Sequence, residues 1–190
     1  MKINNLTKKF GKKIVFNNVC LDFVDNGVTY VMGESGSGKT TVLRILAGLD
    51  KDFKGEIDTV SSKISYIFQE PRLFSNLSVY DNVKIVSDTS KYDVYGLLKV
   101  VELEKEANDL PSSLSGGMKM RLNLVRAIYY DADLVLMDEP FSALDDELKE
   151  RILPQIFELL KNKTVIIVSH NFDEAKKYGD KIINLNEIIE

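Results

Sequence analysis

Val28-Thr29-Tyr30-Val31-Met32-Gly33-Glu34-Ser35-Gly36-Ser37-Gly38-Lys39-Thr40-Thr41 is followed by Val42, Leu43, Ile45 and Leu46. A strand-like run, a glycine-rich turn and apolar residues at helical spacing thus follow in direct succession. Glycines at 33, 36 and 38 let the backbone turn sharply and aim N–H groups inward, making a concave nest of donors that suits a phosphate chain. The helix that follows adds the positive end of its dipole. Within this frame Gly33, Glu34, Ser35, Gly36, Ser37, Gly38 and Thr41 are expected to line the phosphates. Lys39 is expected to neutralise the β- and γ-phosphates, and the Thr40 hydroxyl to ligate Mg²⁺. Kinases, GTPases and motors all use such a loop, so it identifies a nucleotide site without naming the reaction.

Further along the chain, short β-branched runs alternate with longer stretches of helical period, the pattern of an α/β domain with a mainly parallel sheet. The clearest strands are expected at Val28 to Met32, Lys63 to Phe68, Asp133 to Met137 and Lys163 to Val168. Their C-terminal ends should share one edge, where open α/β sheets bind ligands. From about Ser75 to Ala107 the apolar spacing is helical, which predicts an inserted helical subdomain. Leu144 to Leu160 is amphipathic, with Pro154 expected to kink or break it.

Two acids end one of these strands. Leu134-Val135-Leu136-Met137 runs directly into Asp138-Glu139, and adjacent buried carboxylates there would be costly without a cation. Asp138 is expected to hold Mg²⁺, and Glu139 to polarise the attacking water as a general base. His170, the chain's one histidine, follows the strand from Thr164 to Val168 and is placed to meet the γ-phosphate. Ser115, Gly116 and Gly117 open a helix carrying Leu122, Val125 and Ile128. They form a second candidate anion site, or simply a serine cap beside a flexible turn.

Composition narrows the partners. Among 190 residues, 25 Lys plus Arg stand against 29 Asp plus Glu without long blocks of either sign, so nucleic acid is not the expected partner. Cys20, between Val19 and Leu21, reads as a small buried apolar residue in a reducing compartment. No apolar stretch approaches the roughly 18 residues of a membrane span, so any crossing falls to another chain.

In order, the phosphate loop, Gln69, Leu114 to Met118, Asp138-Glu139, Ser142 to Asp145 and His170 resemble the ABC ATPase family over nearly the whole chain. The resemblance implies a single ABC-type domain over 1–190. Its fold would be α/β, a P-loop NTPase core with a mainly parallel sheet, an antiparallel β portion and a helical subdomain inserted at about 75–130. It also implies an ATPase that turns ATP and water into ADP and phosphate and powers transport through separate transmembrane permease subunits. The protein would then sit in the cytoplasm, peripheral to the inner face of the cell membrane. By the same resemblance Gln69 senses Mg²⁺ and the attacking water, and Phe10 stacks on adenine where tyrosine is usual. Ser142 to Asp145 would communicate across a dimer, and Pro71, Leu73, Phe74 and Leu77 would lie on the surface that docks a permease helix. Ser115 to Gly117 of one subunit would cap ATP held by a second, in a homodimer or with a paired ATPase subunit. Met118 replaces the usual glutamine, and the short stretch after His170 leads to the expectation that the regulatory C-terminal domain of some importers is absent. A soluble ABC ATPase acting on a macromolecular complex is the alternative. A non-hydrolysing ATP-gated subunit and a phosphotransferase fit the motifs less well.

Overall fold

The computed structural model describes residues 1–58 and 63–188. Two compact units emerge, one of Met1–Ile64, Asp133–Glu139 and Asn162–Glu190, the other of Ser65–Ala132 and Pro140–Lys161.

The first unit holds two sheets. Strands β1 (Lys2–Phe10), β2 (Lys13–Asp22) and β4 (Lys54–Asp58) are antiparallel in the order β2-β1-β4. Strands β3 (Val28–Met32), β6 (Leu134–Asp138), β7 (Thr164–Val168) and β8 (Lys181–Asn184) are parallel in the order β6-β7-β3-β8. Helix α1 (Lys39–Leu46) packs on β6 and β7 and buries Val42, Leu43, Ile45 and Leu46. A short helix, α6 (Phe172–Tyr178), follows β7. All five β6 residues are buried, which explains the uninterrupted apolar run that precedes Asp138. The register sets Val31 and Asp138 on either side of Val168, so β3, β6 and β7 end level with one another.

β5 (Ile64–Ile67) carries the chain into the second unit, which is otherwise helical among the described residues. Its helices are α2 (Val79–Lys84), α3 (Val94–Val100), α4 (Gly116–Tyr129) and α5 (Asp146–Leu159). Each begins on a side chain that accepts an otherwise orphaned N–H: Ser78 from Asp81, Asp93 from Gly96, Ser115 from Met118 and Asp145 from Leu148. The helical unit is wider than the expected 75–130, because α5 joins it. Arg151 forks onto the Glu102 carboxylate at 2.8 and 3.2 Å, and the Tyr92 hydroxyl donates to Leu159 O at 3.2 Å.

Two expectations are corrected. Cys20 is exposed rather than buried. Side chains alternate along β2, so burying Val19 and Leu21 turns Cys20 to the other face, where its Sγ accepts the Asn5 N–H at 3.4 Å. Pro154 lies inside an uninterrupted α5. Pro154 and Glu150 are both exposed while Ile152, Leu153 and Ile156 are buried, so the proline lies on the solvent side of the helix.

Candidate functional site

The phosphate loop leaves β3 and enters α1 through Gly38, which has the left-handed φ of 100°. A Cβ on Gly38 would lie 2.5 Å from Phe16 Cζ and 2.7 Å from Val15 Cγ1, so packing as well as φ demands glycine there. The loop closes on itself, with the Ser37 N–H donating to Glu34 O at 3.2 Å. Its entry is fastened from far along the chain, where Asn186 Oδ1 accepts the Glu34 N–H at 3.1 Å. Among the described residues the buried Ser37 hydroxyl finds no hydrogen-bond partner, leaving a donor for a bound oxyanion.

Lys39 is 7 % exposed and folds over the loop, its Nζ donating to Gly33 O and Glu34 O at 2.8 Å each. Burial draws its pKa below the usual lysine value, while the charges of Glu139 and Asp138 oppose the fall. An ammonium held by two carbonyl dipoles is well suited to exchange them for phosphate oxygens.

Asp138 is buried at the end of β6. Burial raises its pKa, against the hydrogen bond from the Thr40 hydroxyl and the charge of Lys39. A buried carboxylate bonded to a hydroxyl beside a phosphate loop is a hard-oxygen donor pair that fits Mg²⁺. No group of three or more His, Cys, Asp or Glu able to hold a metal occurs among the described residues.

Glu139 has a φ of 50°, uncommon for a residue with a side chain, while its N–H donates to Val168 O at 3.0 Å. The strand hydrogen bonding thus continues while the side chain is re-aimed at the sheet edge, a form of strain found at working sites. Its Oε1 lies 3.3 Å from Nε2 of the exposed His170. Burial raises the Glu139 pKa, opposed by His170 and Lys39 and aided by Asp138. A carboxylate lifted in this way is a stronger proton acceptor.

Lys39, Thr40, Asp138, Glu139 and His170 therefore meet within the first unit, with Thr41 one residue further along α1. Phe10 ends β1 in the same unit, its ring 53 % exposed. Gln69 and Ser115 to Gly117 belong to the second unit. Gln69 is exposed just beyond β5. The Ser115 Oγ accepts the Met118 N–H at 3.3 Å, so the serine caps α4. A Cβ on Gly117 would stand 3.0 Å from Ala143 O, a close approach that favours glycine. Asp145, besides its place in the motif series, caps α5 through Oδ1 to the Leu148 N–H at 2.9 Å.

Asn186 and Asn82 carry functional geometry that sequence reasoning missed. Asn186 meets Glu34 across 152 positions, a separation with no local signature. Asn82 is fully buried and ties the segment expected to dock a permease helix. Its Nδ2 donates to Phe74 O, Leu77 O and Ser78 O, and its Oδ1 accepts the Phe74 N–H. Only the Ser78 spacing, i to i−4, is helical.

Residues 16–142 match the family described as ABC transporter. The chain is 35 % identical over 181 residues to an aliphatic sulfonates import ATP-binding protein of Pseudomonas syringae pv. tomato, covering 93 % of this chain and 78 % of that one. It is 36 % identical over 210 residues to a sulfate/thiosulfate import ATP-binding protein of Mannheimia succiniciproducens, covering 98 % and 59 %. Its fold superposes on the dimeric ATP-binding cassette MJ0796, in a post-hydrolysis state bound to ADP and Pi, with a TM-score of 0.81 and 30 % identity, covering 96 % and 93 %.

Proposed function

The chain belongs to the ABC transporter family, and from that premise we propose how its residues divide the work of an ATPase that powers transport through separate membrane subunits. The observation that carries this reading is the level ending of β3, β6 and β7, which brings the phosphate loop, Asp138-Glu139 and His170 to one edge.

ATP lies with its triphosphate in the loop from Gly33 to Thr41, and Lys39 trades its two carbonyl bonds for β- and γ-phosphate oxygens. Thr40 and Asp138 would hold Mg²⁺, which would supply charge neutralisation on the phosphates. Glu139 takes a proton from the attacking water as the new oxygen–phosphorus bond forms and the bond to ADP breaks, ADP leaving with the electron pair. His170, 3.3 Å from Glu139, orients that carboxylate and faces the γ-phosphate. Phe10 stacks on adenine, and Ser115 to Gly117 close over the ATP of a second subunit in a homodimer or a pair of related ATPases.

No helix among the described residues is long and apolar enough to cross a membrane. The protein acts from the cytoplasmic face, peripheral to the membrane through permease subunits that dock on the segment knotted by Asn82. Import is the direction favoured, since the relatives named above are import proteins.

Replacing Glu139 with glutamine should leave ATP binding intact and slow phosphate release by roughly 10²- to 10⁴-fold. Single-turnover hydrolysis with Mg²⁺ measures this, and a near-normal rate would remove Glu139 from the role of base.

A further inference from the structure

We propose that Lys8, clamped by Asp50 and Asp52, holds the Phe10 ring as a platform for the nucleobase and so ties base capture to the far end of the phosphate-loop helix. This rests on the reading of Phe10 as the adenine-stacking residue.

Lys8 and Phe10 are two positions apart on β1 and so project to the same side of the strand. Lys8 is only 2 % exposed, a burial that lysine tolerates only when paired. Its Nζ donates to Asp50 Oδ1 at 2.8 Å and to Asp52 O at 2.6 Å, and lies 3.5 Å from Asp52 Oδ2. The same ammonium stands 4.6 Å from the centroid of the Phe10 ring, within cation–π range. One ring face thus rests on a fixed cation. Phe10 as a residue is about half exposed, and its remaining ring face is assigned to the base.

The clamp is itself anchored. The Asp50 N–H donates to Arg44 O in the last turn of α1 at 3.1 Å, and the Asp52 N–H donates to Asp50 Oδ1 at 3.1 Å. The helix that begins at the triphosphate therefore ends at the carboxylate gripping Lys8. The hydrogen bond that Lys8 donates to Asp50 holds the Asp50 carboxyl below its ordinary value and raises that of Lys8, so both stay charged. Phenylalanine has no hydroxyl to fix its orientation, so the ammonium beneath the ring supplies the preorganisation that stacking needs.

The test compares binding of ATP and of inorganic tripolyphosphate, which lacks a base, to the full chain by titration calorimetry. Phe10→Ala and Lys8→Met should each weaken ATP by roughly 5- to 10-fold, the double variant no more than Phe10→Ala alone, and none should alter tripolyphosphate. Asp50→Asn should repeat the Lys8→Met result and carries the test if that variant does not fold. Additive losses in the double variant, or equal weakening of both ligands, would overturn the clamp as a base-positioning device. A loss confined to Phe10→Ala would overturn it while leaving the stacking reading intact, whereas no loss in Phe10→Ala would remove the stacking reading itself.

Discussion

Asp50 and Lys8 show how one ion pair reports on the folded state through pH. The Asp50 carboxyl lies below its ordinary value because Lys8 donates to it, so its stabilising effect is present above the unfolded value of about 3.9 and is lost as pH falls through the lower folded value. Melting curves of wild type and Asp50→Asn should therefore differ by a constant amount well above the unfolded value and converge as pH falls through the lower folded value. A gap that persists at low pH would assign the loss to packing. The pair illustrates what was legible at this scale. Lys39, Thr40, Asp138, Glu139 and His170 stood out because each lies in a motif or at a strand end. Lys8 was not distinguishable from Lys9 beside it, since the difference is a contact with a residue 42 positions away.

Helix α5 tests the weight of local rules at the scale of one element. Proline costs about 3 kcal/mol relative to alanine inside a helix, yet Asp145 caps this one and its apolar face is buried through Ile152, Leu153 and Ile156. Burial outweighs the broken bond, and the helix runs through. Because Pro154 is exposed, Pro154→Ala should restore the bond to the Glu150 carbonyl and stabilise the protein by about 1–3 kcal/mol, read from the urea midpoint. A neutral or negative change would mean that the ring contributes packing. Strands β3, β5, β6 and β7 were legible from β-branched runs. β4 and β8 were not, being short and mixed in polarity, and gaining their partners from distant segments.

A two-fold dimer of this chain would build each site from the phosphate loop of one copy and the Ser115 to Gly117 turn of the other, which allows two inactive variants to restore each other. Lys39→Ala spoils the loop and keeps the turn. Gly117→Asp keeps the loop but would set a carboxylate against the γ-phosphate of the partner's ATP, at a position where an added Cβ would stand 3.0 Å from Ala143 O. Each alone should be nearly inactive, and an equal mixture should recover measurable phosphate release, with up to one of two sites intact per mixed dimer. An active Gly117→Asp protein would refute the capping role. By itself the sequence determined the glycine-rich turn between β3 and α1, the paired acids at a strand end, the serine that caps α4 and the α/β class, because each of these is written in neighbouring residues. Tertiary structure alone decided that β3, β6 and β7 end level, that Asn186 fastens the loop at Glu34, that α5 joins the helical unit, and that Lys8 sits under Phe10. Those are contacts between segments far apart in the chain, and their partners are selected by packing and hydrogen-bond satisfaction, which no local pattern records.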